Sequence, residues 1–80
     1  MSRIFVGNID RSIGESALRS AFEHYGRVGG VKLSFDHYPG RSQIFAFVDM
    51  ADPVAAQNAE KALNGSKLDG QRLYVRVIIN

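Results

Sequence analysis

Gln43-Ile44-Phe45-Ala46-Phe47-Val48-Asp49-Met50 decides how this 80-residue chain is read. With period two it is a strand with two unlike faces. Ile44, Ala46, Val48 and Met50 make an ordinary core face. Gln43, Phe45, Phe47 and Asp49 make the other, which sets two large rings among polar residues on the side expected to meet water. In a domain this small, exposed rings on a sheet mark a binding surface. Ile4-Phe5-Val6-Gly7-Asn8-Ile9 repeats the pattern, with Ile4 and Val6 on one face and Phe5 alone on the other.

The two stretches resemble the paired ribonucleoprotein motifs of the RNA recognition motif (RRM) family. The longer motif runs Lys or Arg, Gly, aromatic, Gly or Ala, aromatic, aliphatic, any residue, aromatic. Phe45-Ala46-Phe47-Val48 matches its centre, and Ile4 to Ile9 matches the shorter motif. The resemblance covers nearly the whole chain and includes the order of elements. There are three departures. Gln43 stands in place of the cation, Ile44 in place of Gly and Met50 in place of the last aromatic. The first removes an expected phosphate contact; the other two lie on the core side and bear on packing.

Composition sets limits. Eighty residues suit one domain spanning 1–80, near the lower size at which a core supports itself. Without cysteine there is no disulfide framework and no thiolate metal site. His24 and His37 are too few and too scattered for a zinc site. No apolar run approaches the roughly 20 residues of a membrane span. Met1-Ser2-Arg3 leads straight into a strand, so no signal peptide and an intracellular location are expected. Ten Lys and Arg against eight Asp and Glu leave only +2, so any nucleic-acid partner must be argued from where the charges stand.

Along the chain, Arg3 to Asn8 reads as the first strand. A helix follows from about Glu15 to Tyr25, with Leu18, Phe22 and Tyr25 on one stripe and Ala21 beside them. Two starts fit it: Ser12 with Glu15 as a capping box, or Gly14 as the cap with Ile13 stapled onto Leu18. The resemblance favours the second. Gly26 reads as a left-handed cap. Val28 to Phe35 is the second strand, Val31, Leu33 and Phe35 alternating with Gly30, Lys32 and Ser34, and Gly29-Gly30 marks a bulge. Asp36 to Ser42 reads as a loop with a turn at Pro39-Gly40.

After the organising strand, Asp52-Pro53 opens a second helix. Its expected apolar face is Val54, Ala55, Ala59, Ala62 and Leu63, mostly alanine, so it can lie close to the sheet. Asn64-Gly65 ends it. Asp69-Gly70 is a tight turn between Lys67-Leu68 and Gln71-Arg72. In the last strand Leu73, Val75 and Val77 face the core, and Tyr74, Arg76 and Ile78 face outward.

The expected fold class is α+β, a βαββαβ ferredoxin-like two-layer sandwich. Right-handed crossovers put both helices on one face of a four-stranded antiparallel sheet. The resemblance implies strand order 4-1-3-2. That sets the first and third strands side by side and gathers Phe5, Phe45 and Phe47 on the open face.

A flat ring in water suits an unpaired base, and each stacked base is worth roughly 1–3 kcal/mol. The resemblance implies that Phe5 and Phe47 each stack a base and that Phe45 packs against riboses. Lys32 and Arg76, on neighbouring strands, reach phosphates or base edges. Arg3 and Tyr74 flank the rings, and Tyr74 reads equally as a stacking residue or a cover for the sheet. Arg41 substitutes for the absent cation, or Gln43 itself bonds a base or sugar. By the resemblance Asn8 meets a base edge, and Asp49 opposes phosphate. His37 and Tyr38 are candidates for folding over a bound strand. The expected function is binding of short single-stranded RNA, with single-stranded DNA as a variant, by a monomer without metal or cofactor. About two to four phosphate contacts would give a modest salt slope of about −0.7 each.

Two other classes compete. An enzyme has little support: Arg11 near Asn8 only weakly echoes a phosphate-holding loop, and no Ser-His-Asp, Cys-His or paired-carboxylate arrangement is visible. The stronger rival is a protein-interaction module on the same fold, or an engineered scaffold that keeps the fold and loses affinity. Uncovered aromatics speak against the first of these.

Overall fold

The computed structural model describes residues 1–38 and 41–79, with side chains from 36 to 43 outside the description. The chain forms β1 (Ser2–Gly7), α1 (Glu15–Glu23), β2 (Val28–Tyr38), β3 (Arg41–Met50), α2 (Pro53–Leu63), β4 (Lys67–Leu68), β5 (Gln71–Arg72) and β6 (Tyr74–Ile79). The order β2-β3-β1-β6 makes one antiparallel sheet, and β4 with β5 makes a small separate hairpin. The expected strand order therefore holds, and β1 and β3 are central.

The core lies between the sheet and the two helices. Ile4, Val6, Ala46, Val48, Met50 and Val75 meet Leu18 and Phe22 of α1 and Ala55, Ala56 and Ala59 of α2. Ile44 and Met50, two of the three motif departures, are both buried on this side. They alter packing and leave the open face unchanged.

Helix α1 begins at Gly14, which makes no side-chain cap bond; Ser12 is engaged elsewhere. The helix stops at Glu23, two residues short of the expected Tyr25, with His24 as its C-cap. Gly26 is not a left-handed cap. Its φ is +158°, and a Cβ there would sit 2.6 Å from the Ala55 Cβ. Glycine is needed because α2 comes so close. Helix α2 starts as expected, Asp52 accepting from the Val54 N–H at 3.0 Å with Pro53 first in the helix. Its buried face is Ala55, Ala56 and Ala59; Val54 is 63% exposed, and Ala62 is exposed too. The stripe is rotated from the expected one because Ala55 and Ala59, four apart, take the centre of the contact, which turns Val54 and Ala62 outward.

The loop expected over 36–42 is largely ladder. Asp36 pairs with Gln43, His37 with Ser42 and Tyr38 with Arg41. Antiparallel pairing satisfies backbone groups whatever the side chains prefer, and it overrides the local turn signals. The expected turn at Pro39-Gly40 lies outside the described residues. The bulge at Gly29-Gly30 is present. Phe35, expected on the core face and paired with buried Ile44, is instead 67% exposed, out on the β2 edge of the sheet.

A second bulge shifts the end of β6. Ile4 pairs with Val77 but Arg3 with Ile79, so Ile78 is the extra residue. Ile78 therefore does not share the aromatic face as expected; it lines a groove with Gln57, Glu60 and Lys61 of α2. The outer edge of β6 is closed by α2. Asn64 Oδ1 accepts the Val75 N–H at 2.9 Å, and Glu60 Oε2 accepts the Val77 N–H at 2.8 Å.

Candidate functional site

On the open face, Phe5 of β1 stands directly opposite Phe47 of β3. Three rings on two central strands meet there. Phe5 and Phe45 stack with centroids 5.8 Å apart and planes 28° from parallel. Phe5 and Phe47 meet edge to face at 5.9 Å, as do Phe45 and Phe47. Tyr74 joins from β6, 6.1 Å from Phe5 and 45% exposed. The three Phe rings are half-buried, largely by one another. Gly7 makes room for this cluster: a Cβ there would lie 3.0 Å from Phe5 Cε2. The result is a continuous four-ring platform, with Tyr74 contiguous with it.

The cations around the platform differ in what they are free to do. Arg3 Nε lies 2.9 Å from Asp49 Oδ1, and Arg3 Nη2 donates to Asp49 Oδ2 at 3.3 Å. The guanidinium carbon is 6.0 Å from the Phe47 centroid. The Asp49 hydrogen bond, with its charge, raises the Arg3 pKa further above its ordinary value. Arg3 therefore stands at the rim of the platform already paired with a carboxylate. Lys32 is opposite Phe47 and Arg76 opposite Phe5, both exposed, as the alternation implied. Arg41 and Gln43 belong to β3, but their side chains, like those of His37 and Tyr38, lie outside the description.

At the Gly7 end of β1 the platform runs into a groove lined by Phe5, Asn8, Asp10, Arg11, Gln71 and Tyr74. Asn8, with φ +61°, turns the chain out of the strand. Its Nδ2 donates to the Arg72 carbonyl at 2.7 Å, so the residue expected at a base edge also ties β1 to β5. Asp10 Oδ2 accepts from the Ser12 N–H at 3.0 Å and from the Ser12 hydroxyl. The Ser12 hydroxyl oxygen is in turn 3.1 Å from Asp69 Oδ2, in the β4–β5 turn. The Ser12 hydroxyl and N–H hold the Asp10 carboxyl below the usual range, with the Gln71 amide adding to them. Sequence reasoning missed Asp10 and Gln71. The Asp-x-Ser spacing is a signal for the side-chain turn at Asp10; nothing local signals the approach of Gln71. Among the described residues no group of His, Cys, Asp and Glu is arranged to hold a metal, and no helix is long and apolar enough to cross a membrane.

The family model for the RNA recognition motif matches residues 4–74. The Poly(U)-binding-splicing factor rnp-6 of Caenorhabditis elegans is 41% identical over 75 residues, covering 94% of this chain and 10% of that protein. Among solved structures, the RNA binding protein PG1 superposes with a TM-score of 0.87 at 30% identity, covering 100% of this chain and 96% of that one. The Rna15 RRM with bound RNA (GU) superposes with a TM-score of 0.76 at 27% identity, covering 91% and 78%. The chain spans only a tenth to about a quarter of the length of the curated relatives it matches. The names of these relatives are those of nucleic-acid-binding proteins: a Poly(U)-binding splicing factor and, in Arabidopsis thaliana, the RNA-binding protein CP29B.

Proposed function

This chain belongs to the RNA recognition motif family, and on that premise we propose that it binds short single-stranded RNA across its open sheet face. The observation that carries the reading is the continuous platform of Phe5, Phe45, Phe47 and Tyr74, uncovered by any other described element. Phe5 and Phe47 stack bases, Phe45 packs against riboses, and Tyr74 extends the stack toward β6. Lys32 and Arg76 flank the rings on the neighbouring strands and take phosphates or base edges. Stacking tolerates any base and is open to single-stranded DNA as well. A duplex cannot turn paired bases onto a flat sheet.

The platform has room for about two to four nucleotides. With Arg3 held by Asp49, the phosphate contacts fall at the low end of the expected range. Two contacts give a salt slope of about −1.4, twice the single-strand value of about −0.7. Such a face binds weakly, in the micromolar range.

The test is fluorescence polarisation with random single-stranded RNA hexamers, a matching RNA duplex as competitor, and two salt concentrations. Saturable binding of the single strands that weakens with salt and resists the duplex supports the reading. Equal competition by the duplex, or no binding in the micromolar range, refutes it.

A further inference from the structure

We infer, building on that RNA-binding reading, that the groove beside Asp10 is a subsite for one nucleobase and selects an amino-bearing base, guanine above all, over uracil. The groove opens directly off the platform, and Phe5 and Tyr74 form its side. A base resting on these rings turns its Watson–Crick edge toward the opposite wall, formed by Asn8, Asp10 and Gln71.

Several of that wall's donors are engaged within the fold. Asn8 Nδ2 is bonded to the Arg72 carbonyl. The Ser12 N–H and hydroxyl both serve Asp10 Oδ2. The Gln71 amide lies beside the same carboxylate. Asp10 Oδ1 and Asn8 Oδ1 take no part in these bonds, and they give the groove its acceptor capacity. The Ser12 bonds hold the carboxylate ionised and fixed in direction, so it can only accept.

The four bases differ at this wall. Guanine presents N1–H and the N2 amino group side by side, two donors for one carboxylate. Adenine and cytosine present one amino group next to a ring acceptor. Uracil presents N3–H between two carbonyls, which a carboxylate repels. Arg11, exposed on the rim, supplies the cation for that nucleotide's phosphate.

The experiment compares labelled hexauridylate with hexamers carrying one central guanine, adenine or cytosine, on the full chain and on Asp10→Asn. One base-edge pair predicts roughly 5- to 150-fold tighter binding of the guanine hexamer than of hexauridylate. Asp10→Asn keeps an acceptor for Ser12 but adds a donor. It brings the guanine preference down to about twofold or less, the pair being lost, while hexauridylate binds as well as before or better. A thermal melt of the variant that matches the parent shows that the loop still folds. Equal binding of all four hexamers by the parent chain overturns the inference and leaves RNA binding standing, as does a guanine preference that survives Asp10→Asn. Failure of the parent chain to bind any hexamer overturns the RNA-binding reading and this one with it.

Discussion

Arg3 and Asp49 form an ion pair of 2.9 Å at the rim of the aromatic platform, with the guanidinium 6.0 Å from the centre of the Phe47 ring. A carboxylate occupies the place where a phosphate would otherwise meet this arginine. The pair is solvent-exposed, and such pairs contribute little to stability. Asp49→Asn should leave the thermal midpoint nearly unchanged. It should free Arg3 for phosphate, tighten RNA binding severalfold at low salt and steepen the salt slope by about 0.7, one contact's worth. Binding isotherms at four salt concentrations read both effects. An unchanged slope would remove Arg3 from the interface.

Gly26 and Ala55 set how closely α2 approaches the turn after α1. Gly26→Ala forces a Cβ to within 2.6 Å of the Ala55 Cβ, and a Cβ has no rotamer by which to move away. Overpacking of this kind costs about 1–3 kcal/mol. Urea denaturation should show that loss, and adding Ala55→Gly should recover part of it despite the lower helix propensity of glycine. Strict additivity of the two changes would mean that the close contact is not what requires glycine.

Ser2 is fully buried opposite Met50, and its hydroxyl has no hydrogen-bond partner. An unsatisfied buried hydroxyl costs about 1–3 kcal/mol. Ser2→Ala should therefore raise stability, and at about 4–8 °C per kcal/mol for a domain of this size the melt should move up by several degrees. A lower midpoint would show that the hydroxyl is satisfied in solution.

Legibility in the sequence followed the range of the interactions. The split of Phe45 and Phe47 from Ala46 and Val48 is a property of strand alternation alone, and it survives folding intact. The cap at Asp52 and the turn at Asp69-Gly70 are equally local, and both are present. On β6 the face failed where one residue of register intervenes. The bulge at Ile78 changes which side follows Val77, and nothing in Val77-Ile78-Ile79 announces it. The length of the β2–β3 ladder was hidden by turn-forming residues that tertiary pairing overrode. The groove beside Asp10 was hidden because its parts come from Asn8 to Ser12 and from Asp69 to Tyr74, some 60 residues apart in the chain. Charge counting missed the Arg3–Asp49 pair for the same reason.

The central claim is that the rings of the open face bind RNA and do not serve mainly as core. The most direct measurement is RNA affinity and thermal stability of Phe45→Ala/Phe47→Ala, taken on the same preparation. The two rings are half-buried against Phe5 and each other. Losing these three ring pairs should cost roughly 1.5–4.5 kcal/mol, at about 0.5–1.5 kcal/mol each. The chain should still melt cooperatively while binding of single-stranded hexamers disappears across the micromolar range. Retained affinity in the folded variant would contradict the account, and a variant that no longer folds would mean that these rings belong to the core.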